Sequence, residues 1–384
     1  MKIPYLLSLV TWLPAIGAII ILALFKKEQS RLIKQFATAW FGLAFLLSLL
    51  LMGYDRDLGG MQFLEDLRWI PVIGARYQMG ADGVAVLLIV LTTLLGVISA
   101  LSSWEYIEKR EKEYYALLLL LQTAVVGVFA AMDLFLFFLF FEVSLVPMYF
   151  LIGIWGGERR LYAAIKFFLY TLAGSVVMLL GIIKIYFLTQ DTALTSQITG
   201  ATLDLLAGNR DASALVSSTL QEAARNGTGT FNILYLQALG SVMPMGTLQV
   251  LLFFAFALGF AIKVPMWPFH TWLPDAHVEA PTAGSVILAG ILLKLGTYGF
   301  FRFNLPMFPA ASADESYFGG FGVRSVMVFL AIVGIIYGAL AAMYFVVKKD
   351  GDVKKLVAYS SVSSMGIVIL GLFSLNPNGL YGSV

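Results

Sequence analysis

The sequence contains no cysteine and only two histidines, His270 and His277, among 384 residues. Without cysteine the chain can form neither disulfides nor cysteine-ligated iron–sulfur clusters. Two histidines are also too few for a three-histidine metal site. The sequence therefore predicts that this chain binds no cofactor and no metal, and has no redox centre of its own.

Charged residues are scarce as well. They make up 12% of the sequence, about half of the 25% that is usual in soluble domains. Hydrophobic residues make up 60%, and the mean hydropathy is +0.87. Such a chain has too little polar surface to face water, so lipid must surround much of it. The net charge of +2 does not indicate nucleic-acid binding.

Long apolar runs recur along the chain. Each is close to or longer than the roughly 18–20 residues that cross the hydrocarbon core of a bilayer. In lipid they should be helices, because a helix satisfies its own backbone hydrogen bonds. The sequence predicts an all-α, polytopic membrane protein with spans at 4–25, 35–53, 83–104, 114–131, 133–154, 162–188, 248–273, 284–301, 325–347 and 355–374.

Lysine and arginine are concentrated in alternate loops, at 26–34, 105–113, 156–161 and 348–355. Under this count of spans, all these short loops lie on one side of the membrane. By the positive-inside rule that side is the cytoplasm. We therefore expect an external N-terminus, and the regular alternation indicates that no span is missing.

Two longer segments fall on the opposite side. Residues 189–247 form a polar insert rich in Thr, Ser, Gly and Asp, with a helix expected near 213–225. Residues 54–82 contain Trp69 and other groups suited to the membrane surface. We expect both segments to lie outside the membrane.

Three charged residues interrupt the apolar runs, where a charge costs roughly 2.5–3.5 kcal/mol on insertion scales. Glu142 and Lys294 lie near the middle of their spans, and Lys263 lies inside 248–273. A structural ion pair would explain Glu142, but a proton-relay carboxylate is the favoured interpretation. Lys166 and Lys184 lie nearer to helix ends, where extension of the ammonium toward water is at least an equal alternative.

The stretch after Lys263 predicts a broken helix. Pro265 and Pro268 remove backbone donors and clash with the preceding turn, so the helix should end just after Lys263. Irregular backbone at this depth is tolerated where it is buried in protein or lines a wet cavity. His270 and His277 follow, either as groups that exchange protons near neutral pH or as loop caps with satisfied hydrogen bonds.

Several of these stretches resemble the motifs of a known family. Lys263-Val-Pro, His270-Thr-Trp-Leu-Pro-Asp-Ala-His277 and Leu-Lys294-Leu-Gly-Thr-Tyr-Gly are similar to the signature of the antiporter-like membrane subunits of respiratory complex I. Phe-Glu142-Val-Ser-Leu-Val-Pro and Ala-Ile-Lys166-Phe-Phe-Leu-Tyr resemble the same family. The resemblance is most specific in 133–181 and 248–302 and weakest in the insert.

The resemblance implies a role for each matching residue. Lys263 would be the central proton-carrying lysine, Glu142 its carboxylate partner and Lys294 the lysine leading to a second half-channel. His270 and His277 would line or close the cytoplasmic side, with Lys166 as a further relay residue.

The same resemblance implies a domain organisation. Family members contain inverted helical repeats, each with one broken helix. Residues 1–113 would be N-terminal transmembrane helices, 114–302 the first repeat, and 324–384 the start of the second. We expect the family pattern to continue past Val384 with further spans and a distal relay charge, so that the second repeat is incomplete here.

The favoured function is a proton-translocating subunit of a bacterial NADH–quinone oxidoreductase in the plasma membrane. Its partners would be neighbouring antiporter-like subunits and lipid, and flavin, iron–sulfur clusters and quinone would belong to other subunits. The alternatives are a subunit of an Mrp-type cation/proton antiporter and a subunit of a membrane-bound hydrogenase. A scaffold without transport would leave Glu142, Lys263 and Lys294 unexplained.

Overall fold

The computed structural model describes residues 3–348 and 352–383. Part of the predicted basic loop 348–355, including Lys349, lies outside the described residues, as does Val384. Within the described residues the chain is a bundle of helices with one small β-hairpin.

Nine helices among the described residues are long and apolar enough to cross a membrane. They correspond to nine of the ten predicted runs, which confirms the all-α, polytopic fold class. They are α1 (Leu6–Leu24), α2 (Ser30–Ser48, extended by a 3₁₀ turn to Gly53), α3 (Gly83–Ser102), α4 (Glu111–Ala130), α5 with α6 (Leu134–Val143 and Leu145–Trp155), α7 (Arg160–Leu188), α14 (Thr282–Met307), α16 (Val323–Val347) and α17 (Val353–Phe373).

The tenth run, 248–273, is divided. Helix α12 (Thr247–Lys263) ends at Lys263, as predicted, and α13 (Trp272–Glu279) follows after an irregular stretch. Pro265 cannot donate to the carbonyl of Ala261, and the amide of Met266 does so instead at 2.8 Å. The indole of Trp272 donates to the carbonyl of Ile262 at 2.8 Å. Two carbonyls at the end of α12 are therefore satisfied from within the protein.

Proline also divides the helix that carries Glu142. Pro147 has no N–H to donate to the carbonyl four residues before it, that of Val143. Helix α5 ends at Val143 and α6 begins at Leu145, with Ser144 between them. Helix α14 has irregularities of another kind, since Leu288–Leu292 and Phe300–Asn304 form wider π turns.

The four basic loops meet at one end of the bundle, which we call the basic end. Lys112 donates to the carbonyl of Phe25, which ties loop 105–113 to loop 26–34. The indole of Trp155 donates to the carbonyl of Lys109, and Lys354 bonds to Ala280 beyond α13. The described parts of these loops thus lie at one end of the bundle, in agreement with the span count.

The opposite end departs from the prediction in two ways. Residues 54–82 contain an antiparallel hairpin, β1 (Gln62–Ile70) and β2 (Ala75–Ala81), which the sequence analysis missed. The insert 189–247 is more helical than expected. Besides a helix over the expected stretch, it contains three others; the four are α8 (Thr192–Thr195), α9 (Gly200–Ala207), α10 (Arg210–Asn226) and α11 (Ile233–Val242).

Helix α11 shows that the insert is not polar throughout, while its expected position outside the membrane stays a prediction. Its residues 233–240 are buried, and the amide of Gln237 donates to the carbonyl of Arg302 in α14. An apolar face at the end of a polar segment buries itself against the bundle because exposure to water costs free energy. Two short helices, α15 (Pro309–Ala313) and α18 (Pro377–Gly382), complete the described chain.

Candidate functional site

Lys263 is the most deeply enclosed charged side chain of the predicted set. It is the last residue of α12, and 2% of it is exposed. Its ammonium nitrogen lies 4.7 Å from the centre of the Phe141 ring and donates to the hydroxyl of Ser144 at 3.4 Å. A helix C-terminus and an aromatic face both favour a cation. The helix break thus places the Lys263 ammonium where the helix end and the Phe141 ring both stabilise its positive charge weakly.

Glu142 approaches Lys263 from the end of α5. Its Oε1 atom is buried without a hydrogen-bond partner. Lys263 and Glu142 act on each other electrostatically, yet no direct ion pair joins them. Ser144, which contacts Lys263 and donates to the carbonyl of Phe141 at 2.7 Å, belongs to the same junction. The structure thus brings the two predicted residues together but leaves a gap between their charged atoms.

Lys294 lies in α14, directly after the first π turn. It is half-buried, and within the described part of the chain no hydrogen bond or ion pair reaches its ammonium. The hydroxyl of Thr297 donates to the carbonyl of Lys294 at 3.1 Å, which engages the backbone but not the side chain. The Lys294 ammonium is therefore not bonded to the Glu142–Lys263 cluster.

Lys166 forms an ion pair with Asp275 of α13 at 2.7 Å, and both side chains are partly exposed. Its extension toward water stays an alternative to a relay role. Asp275 was not predicted as its partner, although both residues lie in motifs that carry the resemblance. This pair attaches the second half of the broken helix to α7.

The two histidines are both buried, and the Nδ1 atom of each has no partner among the described residues. His270 packs against Tyr337 and Tyr359, with ring centres 4.8 and 6.4 Å away. His277 lies in α13 near the basic end, and its carbonyl accepts from the hydroxyl of Ser285 at 2.9 Å. The relay and loop-cap roles of the two histidines both stay predictions.

The carbonyls at the end of α13 are held by donors from several elements. Lys354, in the first turn of α17, donates to Val278 and Ala280 at 3.0 Å each. The amide of Gly157 donates to the carbonyl of Glu279 at 2.9 Å. The last carbonyls of a helix lack partners within the helix, and here the neighbouring elements supply them. Nothing in the sequence pattern indicated this function for Lys354.

An ion pair with a buried arginine lies toward the hairpin end. Arg302, in the second π turn of α14, donates to Asp82 at 2.6 Å and to the Tyr298 hydroxyl at 3.1 Å. Asp82 also accepts from the amide of Ala85 and so caps α3. This pair was not predicted, because nothing near Arg302 in the sequence identifies a partner 220 positions away.

No group of three or more His, Asp or Glu side chains in the described residues is placed to hold a metal ion. The site instead consists of single titratable groups embedded in spanning helices, with one helix broken beside a buried lysine. This arrangement defines a class: polytopic α-helical membrane proteins that keep ionisable residues inside the bundle. Within that class, the chain belongs to the family described as NADH:quinone oxidoreductase/Mrp antiporter, which it matches over residues 131–383.

Curated relatives extend the similarity over almost the whole chain. NADH-quinone oxidoreductase subunit M of Rhodobacter capsulatus is 42% identical over 383 residues, covering 99% of this chain and 66% of the relative. NADH-ubiquinone oxidoreductase chain 4 of Chondrus crispus is 39% identical over 383 residues, with the same coverage of 99% and 66%. The chain thus spans about two thirds of the length of these relatives.

Solved structures share the fold. A chain of respiratory complex I from Thermus thermophilus with bound NADH is 29% identical, with a TM-score of 0.76 over 98% of this chain and 66% of that one. A chain of the Mrp complex from Dietzia is 21% identical, with a TM-score of 0.70 over 98% of this chain and 35% of that one. At that lower identity the similarity is one of fold.

Proposed function

We propose that this chain is a membrane subunit of a bacterial NADH–quinone oxidoreductase and that it translocates protons. The observation that carries the proposal is Lys263, enclosed at a helix break with Glu142 close to it but not in contact. Relatives that bear the name of this oxidoreductase support the choice of complex.

Lys263 is the proton carrier in this proposal. Burial disfavours the charged form of an amine, whereas a nearby carboxylate favours it. A small shift of Glu142 relative to Lys263 therefore changes how strongly the lysine holds its proton. Reduction of quinone elsewhere in the complex would cause that shift. Lys294 passes protons onward, and His270, His277 and Lys166 are further relay candidates on the other side of Lys263.

We also propose a membrane, an orientation and partners for the chain. The basic end faces the cytoplasm, so the N-terminus is external, and the membrane is the bacterial plasma membrane. Residues 114–302 form the first antiporter-like repeat and 324–384 begin the second. Neighbouring antiporter-like subunits are the partners, and flavin, iron–sulfur clusters and quinone are held by other subunits.

The test uses a complex assembled with Glu142→Gln, compared with Glu158→Gln in an exposed turn at the basic end. NADH-driven proton uptake into inverted vesicles should fall several-fold in the first variant and stay unchanged in the second, at equal complex content. Normal pumping by Glu142→Gln would mean that the carboxylate is structural.

Lys263→Met, with Lys184→Met as its control on the exposed face of α7, tests the proposed carrier separately.

A cation/proton antiporter is the alternative function, since the family description includes Mrp antiporters. Replacing sodium by choline in the same vesicles separates the two, because proton uptake by the proposed subunit should not depend on sodium.

A further inference from the structure

Gln122 is a buried amide that the proton path described above does not use. It lies in α4, and 4% of it is exposed. Neither its Oε1 nor its Nε2 atom has a hydrogen-bond partner among the described residues. Buried side-chain amides are nearly always hydrogen-bonded, so a fully unpaired one needs an explanation. In a bilayer the surrounding lipid cannot supply the missing partners.

A small cavity lies beside this amide, between α2, α3, α4 and α14. It leaves about 10 Å³ for the centre of a water molecule, near the roughly 10–15 Å³ that one water requires. Its walls are mostly apolar, but two polar residues, Thr92 and Gln122, also line it. The cavity therefore matches one water in size and offers it hydrogen-bonding partners.

Gly96 permits this arrangement. A Cβ atom at position 96 would lie 1.9 Å from the Oε1 atom of Gln122. The amide thus lies directly against the backbone of α3, at a point where any side chain would displace it.

Thr92 provides the second polar wall. Its hydroxyl donates to the carbonyl of Leu88 at 2.6 Å, which uses its hydrogen and leaves its lone pairs free to accept. The Nε2 group of Gln122 can donate and its Oε1 atom can accept. A water between them would make two or three hydrogen bonds, as buried waters in proteins do.

We propose that this cavity binds one water molecule, held by the amide of Gln122 and the hydroxyl of Thr92. The site lies against Ile287 and Ile291 of α14, the helix that carries Lys294, and it adjoins the first π turn of that helix. The bound water satisfies the amide where no protein group bonds to it directly. This proposal does not depend on the proposed function.

The direct test is a map of the membrane complex at a resolution that shows ordered water, for the unchanged chain and for Gln122→Met. Methionine keeps the length of the side chain and removes both polar atoms. A density peak within hydrogen-bond distance of Gln122 and Thr92 should be present in the first map and lost in the second. Absence of the peak from a first map that resolves other buried waters would overturn the proposal.

Thermal unfolding provides a second measurement. If the water is bound, Gln122→Met should leave the Tm unchanged or lower it, because a satisfied group is lost. If the cavity is dry, removing an unsatisfied amide should raise the Tm, and that result would contradict the proposal.

Thr92→Val should lower the Tm more than Thr171→Val does. Thr171 is equally buried and makes the same bond to the carbonyl four residues before it, but it does not line the cavity. The Gln122→Met, Thr92→Val double variant should lose less than the sum of the two single changes, since both act on one water. Strict additivity would count against a shared water.

Discussion

At the scale of single residues, the buried charges fall into two kinds. Arg302 has a close partner in Asp82, at 2.6 Å, and a further contact with Tyr298. Lys263 has an aromatic ring, a hydroxyl 3.4 Å away and a carboxylate without direct contact. The first arrangement holds one charge state firmly, whereas the second leaves the ammonium without a direct ion pair. This contrast makes Arg302 a structural residue and Lys263 a candidate carrier.

Arg302→Met should therefore reduce stability strongly. It leaves the carboxylate of Asp82 without its partner, and loss of one member of a buried pair costs about 3–5 kcal/mol. We expect a fall of that size in the free energy of unfolding, measured by denaturant titration in detergent micelles. Arg68→Met, which removes an exposed partner of Glu222, should have a much smaller effect.

The Arg302→Met, Asp82→Asn double variant completes this test. Replacing both charged partners removes the uncompensated charge, so the double variant should be more stable than Arg302→Met alone. If it is less stable by the full sum of the two single effects, the pair is not the source of the loss.

At the scale of elements, the hairpin stabilises the first helix. Glu65 of β1 accepts hydrogen bonds from the amides of Leu7 and Ser8, at 2.8 and 3.1 Å. These amides belong to the first turn of α1, where backbone donors have no partner within the helix. The hairpin thus supplies a cap that α1 lacks in its own sequence, since Tyr5 precedes it and makes no capping bond.

Glu65→Ala should lower the free energy of unfolding by about 0.5–2 kcal/mol, the usual cost of losing a cap. Glu65→Gln keeps one acceptor oxygen and should lose less. Hydrogen exchange at the first amides of α1 would report the effect locally. Unchanged exchange in Glu65→Ala would mean that these amides have another partner.

Lys354 makes a similar contribution to the broken helix. By donating to the carbonyls of Val278 and Ala280, it holds the end of α13 to the first turn of α17. We expect Lys354→Met to speed hydrogen exchange in residues 276–280, because those carbonyls lose their donor. Lys354→Arg should restore much of the protection.

The neighbouring Lys355 provides the control for this prediction. Its ammonium lies over the Phe345 ring rather than on α13. Lys355→Met should leave exchange in 276–280 unchanged. Equal acceleration in both variants would point to a general effect of charge at the basic end instead of a specific attachment.

At the scale of the whole molecule, the basic end and the hairpin end should lie on opposite sides of the membrane. The chain contains no cysteine, so single cysteines report their own position. Ser217→Cys, on the exposed face of α10, should react with a membrane-impermeant thiol reagent added to intact cells. Glu108→Cys, exposed at the basic end, should react only after the membrane is opened. The reverse pattern would overturn the proposed orientation.

The sequence by itself determined the helical spans and the position of the helix break. Apolar runs of this length must be helical in lipid, because no water is there to satisfy the backbone. Pro265 prevents the regular helical bond wherever the helix is placed, so the end of α12 at Lys263 follows from local chemistry. Because the spans could be counted from the sequence, the sequence also predicted that the basic loops lie on a common side.

Only the tertiary structure decided which groups meet. Lys166 and Asp275 are 109 positions apart, and Arg302 and Asp82 are 220 apart. Their pairing depends on how the helices pack, which no local pattern encodes. The hairpin β1–β2 was missed because its burial is irregular along both strands. Helix α11 was missed because a short apolar run in a polar segment becomes a buried helix only where the bundle offers it a surface.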